Sequence, residues 1–194
     1  MTCRSSSFSH RITAPVLFLD FDGVLHRADE PSIGGDGEYQ WREQHFCWRA
    51  HLETLLISHP NVQIVLSTDW RKYHDDEDLA AFLGDDLGNR LIGVMPIVQN
   101  GTRADAIRNE AVLRGMRFWI GLDDHSSVHV ASENGDDHFV ACHPEQGLDL
   151  NETRVELASK LRWLDWLAKQ NNMSILPIEQ MPKPSNQAMA RLVA

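Results

Sequence analysis

Asp20 and Asp22, separated by one phenylalanine, follow the apolar run Val16-Leu17-Phe18-Leu19 and precede Gly23-Val24-Leu25. Two carboxylates at the carboxyl end of a buried strand can hold a hard cation. One of them can also attack an electrophile while the other handles protons. That layout suits phosphoryl transfer, and the glycine lets the chain turn sharply just beyond the acids. A second acid pair, Asp123 and Asp124, closes the run Phe118-Trp119-Ile120-Gly121-Leu122. Adjacent carboxylates repel unless protons or a cation neutralise them. A divalent cation is therefore the natural partner, and either Asp123 or Asp124 can supply the ligand.

Two further positions complete the set. Ser67 and Thr68 follow Ile64-Val65-Leu66, where a hydroxyl can hydrogen-bond a phosphoryl oxygen or cap the next helix. Ser67 is favoured as the first polar residue after the apolar run, with Thr68 as the alternative. Thr102-Arg103-Ala104-Asp105 has the form of a capping box, which places Arg103 in the first turn of a helix. The helix dipole makes a cation there unfavourable by a few tenths of a kcal/mol. A bound anion would offset that cost, because helix N-termini and guanidinium groups both bind phosphate. The alternative is an arginine with its head in water. His125 is read as a bystander, because a hard cation prefers oxygen ligands.

The elements that must carry these residues alternate. Residues 16–20, 62–67, 91–94, 118–122 and 138–142 read as strands. Trp48, Leu52, Leu55 and Leu56 share one face of a helix ending near His59 and Pro60. Leu79, Ala80 and Leu83 predict a short helix stopping at Gly84, and Ala104, Ile107 and Ala111 another closed by Gly115. Leu157, Leu161, Leu164 and Ala168 stripe a last helix capped by Asn151. Strands alternating with helices predict an α/β fold, a mostly parallel sheet with helices on both faces. All the candidate residues then fall at carboxyl ends of strands, the edge where open parallel sheets bind ligands.

The chain divides into an N-terminal extension over 1–14, one catalytic domain over 15–170 and a C-terminal tail over 171–194. Residues 32–37 are glycine-rich and read as a loop, and a short closing helix over 186–193 fits the tail. At 194 residues the chain can bury a core without staples. Cys3, Cys47 and Cys142 are odd in number and scattered, which is neither a disulfide framework nor a zinc motif. No apolar leader or membrane-length segment is visible, so a cytoplasmic protein is expected. The net charge of −10 argues against strong nonspecific nucleic-acid binding. Asp75, Asp76, Glu77 and Asp78, like Asp85 with Asp86 and Asp136 with Asp137, read as solvated helix starts or loops.

The order acid pair, hydroxyl, basic residue, acid pair resembles the four motifs of the haloacid dehalogenase (HAD) superfamily. The resemblance is closest to the HAD domain of Swiss Army Knife RNA-repair proteins. It rests on Leu19-Asp20-Phe21-Asp22-Gly23-Val24-Leu25-His26, on Val65-Leu66-Ser67-Thr68-Asp69-Trp70-Arg71 and on Gly121-Leu122-Asp123-Asp124. It implies a Rossmann-like core and a Mg²⁺-dependent phosphatase. Asp20 would be the nucleophile that becomes an aspartyl-phosphate and Asp22 the general acid and base. Ser67, Thr68 and Arg103 would bind phosphate, and Asp20, Asp22, Asp123 and Asp124 the metal. The substrate would be a phosphorylated small molecule or a polynucleotide end.

The intervals after the first two motifs are short, so the domain is expected to be capless or to carry only a small flap. Its open mouth would be rimmed by residues 26–39 and by Trp70 and Arg71, with Arg71 and Arg103 making it basic. Trp41 and Trp70 are placed near this entrance, and the remaining tryptophans in the core or in helix packing. His26, His45, His51 and His74 show no metal-ligand spacing. A receiver-like phosphate-sensing module uses similar residue types, but its phospho-acceptor ends a later strand.

Overall fold

The computed structural model describes residues 14–28, 45–97 and 100–173. The glycine-rich loop, Trp41, most of the expected rim and nearly all of both terminal segments lie outside the described residues. Five strands form one sheet: β1 (Val16–Leu19), β2 (Gln63–Leu66), β3 (Leu91–Val94), β4 (Trp119–Asp123) and β5 (Phe139–Ala141). Their order is β3-β2-β1-β4-β5, and every pairing is parallel rather than merely most of them. The apolar runs explain this: β1 and β4 are buried along their whole length, as strands covered on both faces must be.

Helices cover both faces. On one side α1 (Arg49–Ile57), α2 (Asp76–Gly88) and α5 (Asn151–Met173) pack Leu52, Leu83 and Leu161 onto Leu17, Leu19, Ile64 and Leu122. On the other, α3 (Arg103–Leu113) and α4 (Ser126–Glu133) set Ile107, Ala111 and Val128 against Phe18, Val65 and Phe139. Alternate residues of β1 thus feed opposite cores, as the two-residue period of a strand requires. Among the described residues no element forms a separate cap, and no helix is long and apolar enough to cross a membrane.

The helix through Leu79 and Leu83 breaks at Gly84, as its sequence predicts: the backbone leaves the helical region there at φ 73°, and a second helical stretch continues to Gly88. Two points differ from expectation. The short helix α4 differs from the expected pattern: it has only eight residues, of which Val128 and Ala131 are buried. Trp163 and Trp166 are not core residues; they are 37% and 57% exposed on the outer side of α5.

Candidate active site

Register brings the site together. Leu19 pairs with Leu66 on one side and with Leu122 on the other, so Asp20, Ser67 and Asp123 occupy the same level of three adjacent strands. The chain leaves β1 toward β2 and β3, and later returns to β4 on its other side. The strand order reverses between β1 and β4, which is where an open parallel sheet leaves a crevice.

Gly23 explains how a third acid enters this layer. It turns with φ +65°, and a Cβ at that position would lie 2.2 Å from Asp124 Oδ2. Only a residue without a side chain lets the turn after β1 sit against that carboxylate. Asp20, Asp123 and Asp124 each offer an oxygen, all within 4.8 Å of one another. Asp22 is not in this group. Its carboxylate meets Trp70 Nε1, which donates to Oδ2 at 2.9 Å, and His26 Nε2, 3.1 Å from Oδ1.

The backbone fixes the buried acids. The Phe21 amide donates to Asp20 Oδ1 at 2.8 Å, and the His125 amide to Asp123 Oδ1 at 2.9 Å. Burial pushes both carboxyls above the ordinary range, with the Asp22 charge adding to it at Asp20 and the Asp20 charge at Asp123. Burial, then the charges of Asp20 and Asp22, lifts Asp124 to about 6. Three oxygen donors whose negative charge is poorly tolerated, with no nitrogen or sulfur among them, suit a hard divalent cation such as Mg²⁺.

Arg103 is no surface arginine. Thr102 caps α3 by accepting from the Asp105 amide, as its sequence pattern requires. The first turn then directs Arg103 Nη1 to Asp20 Oδ2 at 3.3 Å, to Asp123 Oδ2 at 3.1 Å and to the Ser67 carbonyl. Its Nη2 lies 3.2 Å from Asp69 Oδ1. Burial works against this cation, yet Asp20, Asp123 and Asp69 together hold its pKa above the ordinary value.

Both hydroxyls at the end of β2 are fully buried. Ser67 Oγ donates to Asp123 Oδ2 at 3.5 Å. Thr68 accepts from the Trp70 amide, capping the 3-10 turn Asp69–Lys72, and its hydroxyl also hydrogen-bonds Asp20. Thr68 thus takes the capping role that the sequence offered for these hydroxyls, and touches Asp20 as well.

Among the described residues, Trp70 and Arg71 do not form the expected basic rim. Trp70 is 4% exposed and lies under the site. Arg71 folds back so that Nη1 donates to the Ser67 and Thr68 carbonyls, and burial together with Arg103 lowers its pKa. Asp20, Asp22, Asp69, Asp123 and Asp124 outnumber Arg71, Lys72 and Arg103, so the described part of the mouth is acidic. Sequence reasoning passed over Asp69 and His26. His26 carried a usable signal, because it stands four residues after Asp22 across a turn held by the Leu25 amide donating to the Phe21 carbonyl. His125 is a cap, with Nδ1 accepting from the Ser127 amide.

The family model described as HAD domain in Swiss Army Knife RNA repair proteins matches residues 16–153. No curated protein and no solved structure matches the chain.

Proposed function

The chain belongs to the family of HAD domains found in Swiss Army Knife RNA repair proteins, and from that premise we propose a Mg²⁺-dependent phosphomonoesterase working through an aspartyl-phosphate on Asp20. Family membership supports a HAD-type phosphoesterase in general. The observation that carries the finer reading is the layer in which Asp20, Asp123, Asp124 and Arg103 meet at the ends of β1 and β4. Asp20, Asp123 and Asp124 would hold Mg²⁺, which when bound supplies charge neutralisation and Lewis-acid polarisation of a phosphoryl oxygen.

Asp20 is fit to be the nucleophile. Its Oδ1 is fixed by the Phe21 amide and its Oδ2 lies by Arg103, so the carboxylate enters the reaction already oriented. An Asp20 oxygen bonds to phosphorus as the ester oxygen leaves, and Asp22 gives that oxygen a proton. Asp22 then takes a proton from water while the water oxygen attacks phosphorus. The bond to Asp20 breaks, and inorganic phosphate departs. Arg103, Ser67 and Thr68 steady the transferred oxygens through preset donors. The RNA repair setting of the family supports a phosphorylated polynucleotide end as substrate. The acidic layer and the net charge of −10 speak against broad binding along a nucleic acid.

The test is hydrolysis of an aryl phosphate and of 3′- and 5′-phosphorylated oligonucleotides, with Mg²⁺ and with excess chelator. Release of phosphate that requires Mg²⁺ is expected. Turnover unaffected by chelator would contradict the metal role, and no turnover of any ester would contradict the phosphatase.

A further inference from the structure

His26 and Trp70 are left without a task by the chemistry above, yet both end on the same carboxylate. Asp22 Oδ2 accepts from Trp70 Nε1 at 2.9 Å, and Asp22 Oδ1 meets His26 Nε2 at 3.1 Å. The two partners come from different parts of the chain. Trp70 sits in the 3-10 turn after β2, and His26 closes the turn that begins at Asp22. His26 is fully buried and Trp70 is 4% exposed. Their rings lie 5.5 Å apart, and Trp70 is edge-on to Phe21, Phe46 and Phe82 at 5.4–5.6 Å. Neither ring can follow Asp22 if it moves, because each is locked by packing.

We propose that Trp70 and His26 are positioning residues that grip Asp22 by both oxygens, hold it out of the Asp20, Asp123 and Asp124 group and reserve it for proton transfer at the leaving oxygen. This rests on the phosphatase reading above. Each carboxylate oxygen has two lone pairs, so one bond to an interior donor leaves each oxygen another pair. The Asp22 side chain is 30% exposed, so the gripped carboxylate still faces the opening. The indole is a donor only, and can never take the proton that Asp22 must deliver. Without the grip, Asp22 would be a flexible acid two residues from Asp20 of the cation-binding cluster, and a fourth carboxylate could join that cluster.

Leaving-group dependence tests this. Trp70→Phe keeps a ring for the aromatic packing and removes the N–H. An alkyl phosphate needs its leaving oxygen protonated, whereas 4-nitrophenyl phosphate hardly does. Trp70→Phe is therefore expected to lower kcat/KM for the alkyl ester about tenfold more than for the nitrophenyl ester, the worth of one hydrogen bond to a charged group. In an Asp22→Asn background the same change should alter neither ester further. A loss equal for both esters that persists with Asp22→Asn would make Trp70 merely structural and overturn the proposal, as would no loss in Trp70→Phe. His26→Gln supplies a second reading if Trp70→Phe folds poorly, and the same leaving-group selectivity is expected of it. Wild-type protein that hydrolyses neither ester would instead defeat the phosphatase reading, so the two failures are separable.

Discussion

The two edges of the sheet treat charge in opposite ways. At the amino edge, Arg90 donates to the carbonyls of Leu56, His59, Pro60 and Val62 at 3.0–3.3 Å. His59 meets Asp165 at 2.6 Å. The charged groups there have neutral or opposite partners, and what they do is tie α1, β2 and α5 together. At the carboxyl edge Arg103 faces Asp20, Asp69 and Asp123 at once, with Asp22 and Asp124 beside them. Concavity does not separate these edges in the expected sense. A cleft of about 550 Å³ opens beside Arg90, and one of only about 190 Å³ beside Asp69, Lys72 and Arg103. Unmatched buried charge, more than cleft volume, marks where chemistry belongs.

Crossed substitutions can break this contrast. Asp20→Asn should lower turnover by on the order of 10⁴-fold or more while leaving the fold intact, since a nucleophile is lost and no packing changes. Steady-state kinetics beside a thermal melt checks it, and near-wild-type turnover would remove Asp20 as nucleophile. Arg90→Ala should do the reverse. Stripping four carbonyls of their donor should cost about 2–3 kcal/mol in a denaturant titration, with kcat kept within roughly threefold.

A smaller effect separates the edges by pH. The Asp124 carboxyl titrates at about 6 in the fold against an ordinary value of 3.8. Its folded pKa is raised, so its penalty is full above about pH 6 and is relieved as pH falls from 6 toward 3.8. Asp136, held below its ordinary value by its hydrogen bonds from Arg108 and from the His138 amide, works the other way. Its stabilisation is lost only as pH falls below 3.8. Metal-free protein should therefore gain stability from the Asp124 site between pH 6 and 4. Asp124→Asn should raise metal-free stability at pH 7 by about 1–2 kcal/mol, after discounting for partial exposure. Melts across pH without Mg²⁺ check both, and a flat difference between Asp124→Asn and wild type over that range would contradict them.

Much of this was legible before any coordinates. Strand ends carry strong signals, because a buried parallel strand must be apolar throughout and the first polar residue after it stands out. Asp20, Ser67 and Asp123 were found that way, and register alone puts them side by side. Arg103 was legible through its cap. What sequence could not show was direction. Arg71 and Arg103 read alike as cations near strand ends, yet one folds onto carbonyls and the other reaches the acids. Trp70 read as an entrance residue because nothing in its spacing reveals an indole N–H turned toward Asp22. The acidic balance of the mouth depends on Asp69, which Lys72 meets at 2.9 Å and Arg103 reaches from a helix far along the chain.

The central claim is that Asp20 carries the phosphoryl group. Borohydride reduces an acyl phosphate to an alcohol, so quenching the enzyme with it during turnover should convert the Asp20 side chain to that of homoserine. Peptide mass spectrometry would find the change at position 20, only with substrate present and not in Asp20→Asn. Continued turnover with no reduced carboxyl, or with the label on Asp22, Asp123 or Asp124 instead, would contradict the account.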